Sequence, residues 1–162
     1  MEAGDFGAGT SSRSTKLLHG GVRYLELAVR HRDPRQLRLV RDALRERRVV
    51  MELAPHLARP LTLLTPLFCP LEIPYYGLGL KLYDLLAGRR RLAPSRYATP
   101  KEVRALFPGL PPTLGGILYQ DGQFADYRLN LALILSALAR GAVALNHAEP
   151  TRLLSISYAV FC

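Results

Sequence analysis

Between Thr10 and Tyr24 the chain gathers many groups able to bind anions and move protons. Thr10, Ser11, Ser12 and Ser14 carry hydroxyls, Lys16 an ammonium and His19 an imidazole; Gly20 and Gly21 are adjacent, and Arg23 and Tyr24 follow. Hydroxyls and the backbone N–H groups of a Gly-rich loop make a neutral cradle for phosphate oxygens, to which Lys16 adds a point charge. Two residues without side chains let a flat ring approach the backbone. Arg23 is able to hold a second anion by a forked pair of hydrogen bonds, and Tyr24 adds a hydroxyl. The pattern fits a large phosphorylated ligand beside a small anionic one. The bland alternative is a solvated Ser/Gly-rich loop ahead of a helix, since such loops are common. His19 is the one candidate base in the stretch, although a lone His is more often a solvated or core residue.

The elements that must position these groups follow from local sequence. Residues 1–21 read as loop. Asp33, Pro34 and Gln36 predict a helix start, with Asp33 as cap, Pro34 at the first helical position and Gln36 closing a capping box. That helix is expected to run to about Ala54, before Pro55. Leu37, Val40, Ala43 and Leu44 give it an apolar stripe, and Arg38, Arg41, Arg45 and Arg48 line another face. Residues 60–68 predict a strand whose prolines place it at a sheet edge. Residues 75–88 predict an apolar helix weakened by Gly77 and Gly79 and ended by Gly88, with a basic loop at 89–92. Thr99 and Glu102 repeat the capping pattern and open a short helix ending near Pro108. Residues 115–124 predict a strand followed by a turn. Asp126 is expected to cap a helix over 127–140 that Gly141 stops. Residues 142–149 read as a strand, so that helix and strand form one arm of a βαβ layer.

Composition narrows the classes. The 162 residues are 49% hydrophobic and 22% charged, as in a folded domain rather than a disordered one. The net charge of +9 favours an anionic partner: phosphate esters, nucleic acid or an anionic membrane surface. Nucleic acid is disfavoured, because the arginines are scattered, Trp is absent and no nucleic-acid motif matches. Cys69, Cys162 and the four histidines lack metal-ligand spacing, so no metal is expected, and a reducing intracellular context is. No signal-peptide pattern is present at the N-terminus. The longest charge-free apolar run, residues 60–71, is too short to span a bilayer and holds three prolines.

Residues 2–26, EAGDFGAGTSSRSTKLLHGGVRYLE, closely resemble the flavin-binding segment of the FAD-dependent glycerol-3-phosphate dehydrogenases. Residues 43–61 and 119–142, the latter YQDGQFADYRLNLALILSALARGA, resemble further segments of that family, and the resemblance covers roughly residues 1–154. It implies an α/β fold: an incomplete, Rossmann-like FAD-binding domain of the glycerol-3-phosphate dehydrogenase and amino-acid oxidase type, with a mostly helical insertion. It implies an FAD-binding loop segment at 1–32, a helical, substrate-side insertion at 33–114, a returning helix and strand at 115–154 and an atypical tail at 155–162. By resemblance, Glu2 bonds the ribose hydroxyls of FAD. Thr10, Ser11, Ser12, Ser14 and Lys16 contact its diphosphate and ribityl region, and Leu17, Gly20 and Gly21 lie close to the isoalloxazine. His19 is the implied catalytic base, and Arg23 and Tyr24 face the substrate, with Arg23 on its phosphate. Ala148, Glu149 and Pro150 match a strand end near the adenine, although the family often has Val where Pro150 stands.

The implied activity is oxidation of sn-glycerol 3-phosphate to dihydroxyacetone phosphate, with FAD as hydride acceptor and quinone as the next electron acceptor. The alternatives are a glycerol-3-phosphate oxidase or another FAD-dependent oxidase and, from another class, a non-catalytic basic binding module. The expected location is cytoplasmic, peripheral at the inner face of the cytoplasmic membrane. Residues 75–92 either rest on lipid or form a buried helix with a basic loop. The chain is expected to be an incomplete copy of the family, because the glycine fingerprint would precede residue 1 and the chain covers about a third of the family's length. It is expected to bind FAD weakly or not at all by itself, and to lack dehydrogenase activity alone.

Overall fold

The computed structural model describes residues 4–146. In chain order its elements are α1 (Thr10–Arg13), β1 (Leu17–Leu18), α2 (Val22–His31), α3 (Pro34–Leu53), β2 (Ala58–Pro66), α4 (Glu72–Ala87), β3 (Arg96–Ala98), α5 (Pro100–Leu106), β4 (Gly116–Phe124) and α6 (Asp126–Leu138). A 3-10 turn, Gly88–Arg90, follows α4. The chain divides into two compact units: residues 17–123, and the flanking residues 1–16 with 124–162.

The helical core of the larger unit follows from stripe positions on three helices. Leu25 of α2, Val40 and Leu44 of α3, and Tyr83 and Ala87 of α4 bury together. Asp33 caps α3 by accepting the Arg35 N–H at 2.8 Å, with Pro34 in the first turn. The expected capping box does not close, and Gln36 Oε1 has no partner. The reason is that the cap N–H which Gln36 would accept already donates to the Ala28 carbonyl at 3.0 Å, in the turn from α2. α3 ends at Leu53, one residue short of the expected stop. α4 starts at Glu72, ahead of the expected start, and ends at Ala87, capped by Gly88, whose φ of 53° turns the chain out of the helix.

In the sheet, β4 lies between β1 and β2, so β2 takes the edge position that its prolines demand. β1 and β3 pair antiparallel with opposite ends of β4: Leu17↔Gln123 and Leu18↔Gly122 at one, Arg96↔Leu118 to Ala98↔Gly116 at the other. The turn expected within 115–124 is absent, for β4 is continuous to Phe124. A Cβ at Gly122 would stand 2.9 Å from the Leu18 carbonyl oxygen, so the Asp-Gly pair marks the close approach of β1. Two further apolar clusters flank the sheet, Leu67, Leu80 and Ile117 in one and Ala98, Val103 and Leu118 in the other. Thr99 caps α5 as expected, accepting the Glu102 N–H at 3.3 Å.

Residues 1–21 are not all loop, since they hold α1 and β1. In the smaller unit α1 packs with α6. Asp126 is the first residue of α6 rather than its cap; its carboxylate accepts the Ser14 hydroxyl, which draws it away from its own helix N–H groups. Gly141, with φ 85°, ends the helix, and the Ala142 N–H returns to the Ala137 carbonyl at 3.0 Å. Residues 142–146 form no strand. The rest of the strand expected over 142–149, together with Glu2, Ala148, Glu149, Pro150 and the tail at 155–162, lies outside the described residues. Among the described residues no helix is long and apolar enough to cross a membrane.

Candidate functional site

The Gly20-Gly21 pair is the pivot of the larger unit's candidate site. Gly21 sits in the left-handed region at φ 77° and opens α2, so its backbone demands glycine. Gly20 is buried, and a Cβ there would stand 2.5 Å from Leu44 Cγ and 2.6 Å from Tyr83 Oη. Both glycines thus have a reason internal to the fold, beyond any room they leave for a ligand. Around them, His19, Arg23 and Tyr24 are exposed. Among the described residues Arg23 forms no ion pair, and no hydrogen bond holds the side chain of His19, Arg23 or Tyr24. Leu17 is half-buried in β1, in register with Gln123.

Beneath this turn lies a buried polar chain that sequence reasoning missed. The Gly20 N–H donates to Tyr83 Oη at 2.7 Å. Tyr83 lies 3.1 Å from both carboxylate oxygens of Asp121, which pairs with Arg47. Arg47 also donates to the Gln120 carbonyl at 3.4 Å. Burial pushes the Asp121 carboxyl up, against the opposing charge of Arg47 and the bonds from Arg47 and Tyr83. Burial, then the charge of Asp121, pushes the Tyr83 phenol well above its ordinary range. One signal was available: Arg47 continues the spacing of Val40 and Leu44, so a charge sits in register with the apolar stripe. Asp121 was hidden by the Asp-Gly dipeptide, which reads as a turn.

The hydroxyl-rich segment, α1 and the turn after it, belongs to the smaller unit. Ser14 donates to Asp126, and Ser12 donates to the Gly7 carbonyl at 2.5 Å. Lys16, at φ 60°, donates through Nζ to the Ser11 carbonyl and lies 5.7 Å from the Tyr127 ring centre. Part of the donor set is therefore spent inside the unit. The hydroxyls of Thr10 and Ser11 make no hydrogen bond among the described residues, and Thr10 is exposed. These groups remain available to an anionic ligand. Thr10 to Lys16 fall in one unit and Leu17 to Tyr24 in the other.

Two further concavities lie in the larger unit. An apolar cleft of about 520 Å³ runs between α2 and α4, lined by Val29, Tyr75, Tyr76 and Leu78 among others, and includes none of the candidate site residues. A groove of about 760 Å³ lies between α3 and the end of α4, where Arg38, Arg41, Arg45, Arg89 and Arg90 surround Leu44, Leu85 and Leu86.

The sequence pattern of the family described as FAD dependent oxidoreductase matches residues 1–159. The chain belongs to that family. Within it, this member is 50% identical over 161 residues to the mitochondrial glycerol-3-phosphate dehydrogenase SDP6 of Arabidopsis thaliana, covering 96% of this chain and 26% of the relative. It is 46% identical over 156 residues to the mitochondrial glycerol-3-phosphate dehydrogenase of Rattus norvegicus, covering 95% of this chain and 22% of the relative. The crystal structure of the glycerol-3-phosphate dehydrogenase of Bacillus halodurans in complex with FAD matches the fold at a TM-score of 0.57 and 31% identity, over 91% of this chain and 21% of that one. The chain thus spans about a quarter of the length of these relatives. The resemblance drawn from residues 2–26 and 119–142 holds, and so does the α/β, FAD-binding type of fold.

The expected cytoplasmic location does not hold. The similar glycerol-3-phosphate dehydrogenases of Arabidopsis thaliana, Rattus norvegicus and Caenorhabditis elegans are mitochondrial, and that finding overturns the cytoplasmic reading. Cysteine usage and the lack of a signal-peptide pattern, which gave the intracellular reading, do not separate the two compartments.

Proposed function

We propose that this segment supplies part of the flavin cradle and the substrate anchor of an sn-glycerol 3-phosphate dehydrogenase. The observation that carries the reading is the exposed trio His19, Arg23 and Tyr24 at the glycine turn, with Arg23 free of any ion pair among the described residues. Arg23 binds the substrate phosphate through its guanidinium fork. Tyr24 orients the polyol, and His19 accepts the proton of the C2 hydroxyl. Thr10 and Ser11 offer hydroxyls to the diphosphate and ribityl region, with Ser12, Ser14 and Lys16 holding the loop in shape. FAD, when bound, supplies the two-electron acceptor for the hydride leaving C2. Glu2 is assigned to the ribose hydroxyls, and Leu17, Gly20 and Gly21 to the backbone beside the ring. Quinone is the proposed electron acceptor; quinone reduction without peroxide release would separate a dehydrogenase from an oxidase.

Arg23→Gln in a full-length flavoenzyme carrying this segment tests the anchor. It removes a charge-assisted contact worth about 2 kcal/mol or more, so the KM for glycerol 3-phosphate should rise by roughly 30-fold at unchanged flavin content. An unaltered KM would refute the role of Arg23. A wild-type enzyme whose bound flavin is not bleached by glycerol 3-phosphate at any concentration would refute the whole reading.

A further inference from the structure

We propose that Tyr83 is a positioning residue for the glycine turn and that the Arg47–Asp121 pair sets the direction of its hydroxyl. The catalytic consequence rests on the dehydrogenase reading above; the structural part stands without it. Burying an ion pair costs desolvation, and apolar residues of equal volume often stabilise a core as well or better. Arg47 and Asp121 are nonetheless 2% and 1% exposed, and they come from α3 and β4. What the pair orients accounts for its presence.

The Tyr83 hydroxyl has one proton. With Arg47 bound to Asp121, that proton points to the carboxylate, whose two oxygens lie 3.1 Å away. A lone pair then faces the Gly20 N–H at 2.7 Å. Charges on α3 and β4 are converted, through α4, into one fixed acceptor for one amide. That amide lies between His19 and Gly21, and Gly21 starts the helix that carries Arg23 and Tyr24. Without the acceptor, the buried N–H is left unpaired, and the turn must move to satisfy it. A shift of about 1 Å in such a frame is enough to lower turnover by roughly 100-fold.

Two variants test the assignment: Tyr83→Phe, and the apolar double replacement Arg47→Met/Asp121→Leu, which removes the orienting charges and keeps the volume. Hydrogen exchange in the protein without flavin is the first readout. The Gly20 amide should exchange about tenfold faster in either variant, while the amides of α3 and β4 keep their protection. The second readout is kcat/KM per bound flavin in a full-length enzyme carrying this segment, expected to fall by about tenfold or more with flavin still bound. A Gly20 amide that exchanges at the wild-type rate, or a loosened turn with unchanged kcat/KM, overturns the proposal. If Tyr83→Phe fails to fold, the double variant decides. A wild-type enzyme inert toward glycerol 3-phosphate defeats the dehydrogenase reading alone, and the exchange rate of the Gly20 amide still decides whether Tyr83 holds the turn.

Discussion

Gly20 shows how one residue type can serve two ends. Its lack of a side chain was read as an opening for a flat ring, yet Leu44 and Tyr83 already fill the space a Cβ would need. Gly20→Ala should therefore destabilise the larger unit by overpacking, by about 1–3 kcal/mol, as measured by urea unfolding. A Gly20→Ala variant as stable as the parent would show that Leu44 and Tyr83 yield easily, and that the close packing is not what requires glycine. Residue types and spacing made His19, Arg23 and Tyr24 legible from the sequence, because such groups keep their meaning wherever the chain goes. Tyr83 and Asp121 were not legible. They lie 38 positions apart and their roles exist only where β4 brings the carboxylate under α4.

At the scale of elements, local rules succeeded where the partners were local. Asp33 and Pro34 start α3, Thr99 caps α5, and Gly88 and Gly141 stop their helices. They failed where a distant group competed: Gln36 lost its partner N–H to Ala28, and Asp126 was taken by Ser14. The start of α4 was missed for a different reason, a local one. Glu72 turns back and accepts the Cys69 N–H at 3.0 Å and the Phe68 N–H at 2.7 Å, holding the entry to the helix. These bonds keep the Glu72 carboxyl below its usual range. Because the folded value is depressed, its stabilisation is present above the ordinary carboxylate range and is lost as pH falls through the folded value. Exchange of the Phe68 and Cys69 amides, corrected for intrinsic rate, should accelerate on acidification through that window and stay flat in Glu72→Gln. Flat profiles in the parent protein would remove the role of Glu72.

For the whole molecule, part of the basic charge is gathered in one place, with Asp42 the acid among the arginines. Arg38, Arg41 and Arg45 of α3 and Arg89 and Arg90 of the turn after α4 form one basic groove, with Leu85 exposed beside them. α4 is neither fully buried nor a free amphipathic helix, since it buries Leu80, Tyr83 and Ala87 while Tyr75, Leu78 and Leu85 face outward. A basic groove edged by an exposed leucine has the chemistry that an anionic lipid surface attracts, which vesicle binding tests. The protein should co-sediment with vesicles containing anionic phospholipid at low salt and be released at high salt. Replacing Arg89 and Arg90 by Gln should weaken binding by about 2 kcal/mol, roughly 30-fold. Equal pelleting with and without lipid would end the idea.

Sequence alone determined the chemistry available, the helix boundaries set by caps and glycines, the edge placement of β2 and the family. Each depends on residue identity or on neighbours a few positions away, and short-range sterics and hydrogen bonding fix these before the chain folds. Tertiary structure alone decided that Asp121 and Gly122 continue a strand, that Gly20 is packed against Leu44, and that Arg47, Asp121 and Tyr83 join into a buried chain reaching one backbone amide. Those outcomes depend on which distant groups meet out of water, where an unpaired charge or N–H is too costly to leave and a shared one holds the chain in place.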